Sequence, residues 1–87
     1  MLTPRRSGRF KTDYKKLSKV KDISKLDDII TKLCNEEPLD PKHKDHDLHH
    51  NWVGHRECHV EPDWLLIYKI ENGSLVFVRT GSHSELF

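Results

Sequence analysis

Cysteine is scarce in this chain. Cys34 and Cys58 stand far apart and in no Cys-x-x-Cys arrangement, which argues against a zinc ribbon or a disulfide framework and makes a reducing cytosol the expected compartment. Long apolar runs are missing too. No stretch approaches the ~20 residues that span a bilayer, and no apolar segment follows the N-terminal charges as it would in a signal peptide. No membrane partner is therefore expected. Internal repeats and low-complexity tracts are absent, which sets aside solenoids and disordered linkers. Acid is nearly missing from the first 21 residues, where eight Lys and Arg face only Asp13. That local charge of +7 leaves −6 for the rest of a chain whose net charge is +1. Such a block suits a phosphate backbone or an acidic partner segment, and equally a solvated helix face.

What is present fits one small domain spanning residues 1–87. A chain of this length buries only about 60–65% of its unfolded surface, so modest stability, helped by a partner, is expected. Pro4 confines the first residues to a short edge strand. Ser7 can cap a helix running to about Val20, with Phe10, Tyr14 and Leu17 in one stripe. Ser24 starts a second helix, with an apolar face of Leu26, Ile29, Ile30, Leu33 and Cys34 and with Asp27 and Asp28 in its first turn. Pro38 and Pro41 end helical structure, and a polar loop runs to about Asn51. Three β-rich segments follow: 52–60, 64–70 and 74–80. The expected fold is α+β, a two-helix hairpin on one face of a small antiparallel sheet built from the N-terminal edge strand and a C-terminal three-strand meander.

Asn72-Gly73 predicts a two-residue hairpin turn that pairs Glu71 with Ser74, hence Leu66 with Arg79 and Trp64 with Gly81. With Glu61-Pro62 as the other turn, Val60 pairs Asp63, His59 pairs Trp64 and Glu57 pairs Leu66. On that register Glu57, His59, Trp64, Leu66, Phe77 and Arg79 share an open face. Cys58, Val60, Leu65, Ile67, Val76 and Val78 then face the helices.

Near the polar end of the open face lie His59, Asp63 and His83, with Glu57 and Arg79 beside them and His46 in the preceding loop. A base, an acid and a fixed cation are what RNA cleavage by its own 2'-hydroxyl requires, with no metal or cofactor. Histidine suits the acid because its ordinary pKa is about 6.5. Glu57, His59, Asp63 and His46 all compete for the role of base. Each residue has a plainer reading: exposed histidines, a cross-strand Glu57–Arg79 ion pair, and Trp52 and Trp64 as core or rim packing. His43, His46, His49, His50 and His55 are a weak zinc signature, lying in a Pro-flanked loop without a Cys partner.

Three runs carry a resemblance. They are Lys44-Asp45-His46, Asn51-Trp52-Val53-Gly54-His55-Arg56-Glu57-Cys58-His59-Val60-Glu61-Pro62-Asp63-Trp64-Leu65-Leu66-Ile67-Tyr68, and Val78-Arg79-Thr80-Gly81-Ser82-His83-Ser84-Glu85-Leu86-Phe87. Together they resemble the RelE superfamily of bacterial toxins, in its YafQ-like branch. The match is dense over the C-terminal half, while the first forty residues agree only in element order. The chain departs from the family's usual wording at Asp47, at Leu48-His49-His50 and at His55.

The resemblance implies a RelE-like fold and a type II toxin-antitoxin toxin, an endoribonuclease that cleaves mRNA, commonly on the ribosome. A cognate antitoxin would silence it, and operator DNA would be met only through the antitoxin complex. Carried over, the catalytic positions fall on His46, His59, Asp63, Arg79 and His83, with Glu57 used in close relatives. Arg79, Phe87, Trp64 and Lys44 are the expected substrate contacts. A non-catalytic RNA- or partner-binding module that keeps the fold is the alternative.

Overall fold

Asn72 and Gly73 both have positive φ, 50° and 77°, as a hairpin turn that follows strand twist demands. In the computed structural model, which describes all 87 residues except the side chain of His50, they join β4 (Trp64–Glu71) to β5 (Ser74–Gly81), with Glu71 opposite Ser74. That much follows from the sequence. The numbering β1 to β5 and α1 to α3 runs along the chain: β1 is Thr3–Arg6, α1 Gly8–Leu17, α2 Ser24–Cys34, β2 His46–Asp47, β3 Arg56–Glu61 and α3 His83–Leu86.

Beyond the turn the register departs from expectation. Tyr68 faces Phe77 but Ile67 faces Arg79, so Val78 is an extra residue in a bulge. Leu66 consequently pairs with Thr80, not Arg79, and Leu65, not Trp64, pairs with Gly81. At the other turn Pro62-Asp63 forms the tip and Glu61 pairs with Trp64. A second irregularity at Val60 then sets His59 opposite Leu65, Cys58 opposite Leu66 and Glu57 opposite Ile67. Each pairing is one residue away from that expected, and a one-residue slip turns side chains to the other face.

Trp64, Leu66 and Phe77 therefore belong to the helix-packed core with Cys58 and Val60, not to the open face. Leu65 and Ile67 lie on the opposite side, in a small cluster with Leu86 under Leu48, Trp52 and Val78. Val76, expected in the core, is half-buried. The sheet runs β1-β5-β4-β3-β2 and is mixed rather than antiparallel, since β1 pairs parallel to β5. The segment expected to be loop as far as Asn51 holds the short strand β2 and two 3-10 turns, Pro41–His43 and His50–Trp52. β3 starts only at Arg56, leaving Trp52 outside it.

Ser7 caps α1 as expected: its hydroxyl accepts from the Phe10 amide (3.0 Å) and donates to the Val78 carbonyl (2.7 Å), which ties the helix start to β5. The helix ends at Leu17 instead of Val20, because the buried stripe stops there and Val20 is 77% exposed. α2 begins at Ser24, but Asp22 does the capping, its carboxylate accepting from the Ser24 amide and hydroxyl. Phe10 is fully buried, 5.4 Å from Phe77 between ring centroids, and joins α1 to the sheet. Phe10→Ala should lower unfolding stability by about 3–5 kcal/mol in urea melts followed by circular dichroism. A loss under about 1 kcal/mol would show that this contact does not anchor the helix.

Candidate active site

The strand alternation that buries Cys58 aims its neighbours Glu57 and His59 at the other face. Glu57 is a carboxylate in a nearly closed place, its side chain only 5% exposed. Its Oε1 lies 3.3 Å from His59 Nε2, and its Oε2 lies 3.8 Å from His46 Nε2 on β2, which pairs with β3 at this residue. The far nitrogen of each ring is also fixed. His46 Nδ1 is 2.6 Å from the Lys44 carbonyl, and His59 Nδ1 is 3.3 Å from the Pro62 carbonyl. A carbonyl only accepts, so both rings donate from Nδ1 and turn Nε2 toward one carboxylate. That contact is attractive when a proton sits between ring and carboxylate.

His83 stands at the start of α3, a helix without a counterpart in the sequence reading. Ser82 and Glu85 form its capping box: the Ser82 amide donates to Glu85 Oε1 (2.9 Å) and the Glu85 amide donates to Ser82 Oγ (3.3 Å). Asp63, at the β3–β4 turn, accepts from the His83 amide (3.2 Å) and lies 3.7 Å from its Nδ1. The three imidazoles form a row, His46 to His59 at 6.4 Å and His59 to His83 at 6.0 Å between centroids. Phe87 continues it 5.8 Å beyond His83, 56% exposed and edge-on to Trp52 at 6.0 Å.

The structure therefore brings together His46, Glu57, His59, Asp63, His83 and Phe87. Arg79 is placed differently. β1 covers β5 only as far as Phe77, leaving the Thr80 amide on a free edge, where Asp13 of α1 accepts from it (3.2 Å). The same carboxylate takes Arg79 Nε (2.8 Å) and Nη2 (3.2 Å), and this pairing raises the guanidinium pKa. Arg79 forms no cross-strand pair with Glu57. Trp64, expected beside the substrate, is 0% exposed. Its indole donates to Thr80 Oγ1 (3.0 Å), and it is a core residue because the turn shift put it on the helix face. Lys44 is exposed and left-handed at φ 47°, with its carbonyl orienting His46.

Sequence reasoning missed the supports. Asp45 accepts from the Tyr68 hydroxyl (2.6 Å) and from Arg56 Nε (3.3 Å), and Arg56 Nη1 donates to Asp47 (2.6 Å). This network clamps the β2 segment that carries His46. Burial first, then the bond to Asp45, raises the Tyr68 pKa. His43, which the sequence offers only as part of a weak zinc signature, donates from Nδ1 to the His59 carbonyl at 2.6 Å. Asp45 beside His46 was the one available signal, and only tertiary pairing gives it a partner.

A family model described as a bacterial toxin of type II toxin-antitoxin systems, YafQ, matches residues 2–87. The chain belongs to the YafQ toxin family. This YafQ-family chain is 48% identical over 83 residues to the mRNA interferase toxin YafQ of Escherichia coli BL21-DE3, covering 93% of itself and 90% of that protein. It superposes on a metal-bound toxin from Helicobacter pylori with TM-score 0.94 and 46% identity, over 100% of both chains. Against the toxin in the E. coli DinJ-YafQ complex the TM-score is 0.92 at 45% identity, covering 100% of this chain and 99% of the other.

The amide and hydroxyl of Ser82 hold the Glu85 carboxyl below the usual carboxylate range. A depressed folded pKa stabilises above the unfolded value and is lost as pH falls through the folded one. Glu85→Ala should therefore cost about 0.5–1 kcal/mol at neutral pH, with the difference vanishing in acid. Denaturation at several pH values would show this, and a cost independent of pH would remove the charge from the capping role.

Proposed function

We propose that this YafQ-family toxin is an mRNA interferase, an endoribonuclease that cuts single-stranded RNA by attack of the 2'-hydroxyl on the adjacent phosphate. The enzyme class comes with a family whose curated E. coli members carry that name. The observation that supports the chemistry best is the buried Glu57 carboxylate facing Nε2 of both His59 and His46, with His83 next in the row. The Glu57–His59 pair, supported by His46, takes the 2'-proton as the P–O2' bond forms. The P–O5' bond breaks, and His83, oriented by Asp63, gives its proton to O5'. The products are a 2',3'-cyclic phosphate and a 5'-hydroxyl. Arg79 has two of its five N–H donors on Asp13, so the others are available to a phosphate oxygen, and Asp13 fixes the fork. Phe87 offers an exposed ring for a base to stack on.

Every step is written with proton donors and acceptors of the chain. No helix among the described residues is long and apolar enough to cross a membrane. The proposed place of action is the cytoplasm, on mRNA, on or off the ribosome. A cognate antitoxin, the counterpart of DinJ in the solved E. coli complexes, would silence the toxin by covering the imidazole row, and would carry any contact with operator DNA. The non-catalytic alternative draws on one observation, the engagement of Arg79 by Asp13, and predicts RNA binding without cutting.

His83→Ala should abolish cleavage of single-stranded RNA while leaving the circular-dichroism melt nearly unchanged, since His83 is exposed at a helix start. Cleavage at the wild-type rate would overturn the acid assignment. Wild-type cleavage should persist in EDTA, and a loss restored by zinc would overturn the metal-free mechanism.

A further inference from the structure

Against His59 of the imidazole row lies a cleft of about 640 Å³. Lys21, Lys25, Lys42 and Lys44 line it, against only Glu61 and Asp63 among acids. His59, Asp63 and Ser82 also line it, residues that hold or adjoin the proposed base and acid. The lysines come from separate parts of the chain: the α1–α2 connection, the first turn of α2 and the 3-10 turn before β2. Glu61 draws two of them together, Lys21 at 3.3 Å and Lys25 at 2.8 Å, and one carboxylate between two ammonium groups leaves a positive balance. Lys21 is also seated 5.5 Å over the Trp64 ring. Among the described residues the ammonium groups of Lys42 and Lys44 have no carboxylate within 4 Å. None of this basic surface is used in the cleavage chemistry above.

We infer that this cleft holds backbone phosphates of the RNA strand flanking the cut, and so sets substrate affinity apart from the chemical step. The inference rests on the endoribonuclease reading. A phosphate chain is the favoured occupant because His59 and Asp63 line the cleft as well as the proposed site, so that a strand whose reacting phosphate lies at His59 can continue into it. Phe87 offers stacking and the cleft offers charge, the two contacts that sequence-tolerant single-strand binders combine. Lysine serves such a path as a point charge free to follow a flexible backbone.

The test uses the wild-type toxin and a fluorescent single-stranded RNA whose riboses are all 2'-O-methylated, so that no hydroxyl can attack. Anisotropy titrations over a salt series should give a slope of log affinity on log salt that falls by about 0.7 for each phosphate contact removed in Lys25→Gln or Lys42→Gln. Lys69→Gln, at the far end of β4 beside Glu71, should leave it unchanged. With ordinary RNA the two cleft variants should raise KM by roughly threefold to tenfold and leave kcat within about twofold. Wild-type cutting with unchanged slope and KM in the variants would overturn the cleft and leave the endoribonuclease reading intact. Lysine-dependent binding without cutting of ordinary RNA would uphold the cleft and overturn the catalytic reading. If polyglutamate displaced the RNA as readily as unlabelled RNA of equal charge, the cleft would be an acceptor for acidic protein segments and the RNA assignment would fall.

Discussion

Burial of β4 on both faces is the constraint on which the remaining structure depends. Trp64, Leu65, Leu66, Ile67 and Tyr68 run consecutively and none is more than 2% exposed, so each alternate side chain needs a cover on its own side. α1 and α2 cover Trp64, Leu66 and Tyr68, while Leu86 of α3, with Leu48 and Trp52, covers Leu65 and Ile67. At about 1.5–3 kcal/mol for each buried side chain, this strand supplies a large share of the stability of a small chain. It also fixes where chemistry is possible. A face roofed by Leu48, Trp52 and α3 leaves the β2–β3 side and the β3–β4 turn open to polar groups, and His46, Glu57, His59 and Asp63 lie there.

Glu57 is the point at which packing meets the proposed chemistry. A buried carboxylate is costly unless its oxygens are matched, and here two imidazoles on two strands match them. The His46–Glu57 contact adds a side-chain link to the β2–β3 backbone pairing, and the Asp45–Arg56–Tyr68 network reinforces it from the next residue. Asp13 plays the corresponding part on the opposite edge, where one carboxylate caps an unpaired strand amide and holds Arg79. Each side chain of the proposed reaction therefore has a second group that fixes its direction, as preorganised electrostatic catalysis requires.

Much of this was legible residue by residue. Asn72-Gly73 specifies a turn because both positions need positive φ, and Ser7 specifies a helix start because its hydroxyl replaces a missing backbone partner. The apolar stripes of α1 and α2 follow from helical period. His59, Asp63 and His83 could be placed at one end of the meander because a strand's direction is robust to a slip of one residue. Which face each residue takes is not robust to such a slip, and there the reading failed for Trp64, Leu66, Leu65 and Ile67. Bulges at Val60 and Val78 have no local signature, since both are ordinary β-branched strand residues. Short elements such as α3 and β2 were illegible for a related reason: four or two residues carry too little periodicity, and tertiary contacts hold them in place.

The sequence by itself determined the identity of the elements, the end of the sheet at which the histidines gather and the family resemblance, because these depend on local propensity and on motif order. The tertiary structure alone decided that Glu57 is buried between two imidazoles, that Arg79 is held by Asp13 and that Trp64 lies in the core. Those outcomes depend on strand register and on carboxylates from distant segments. Register is set by whichever pairing buries β4 on both faces at once, a property of the whole sheet and of no single segment.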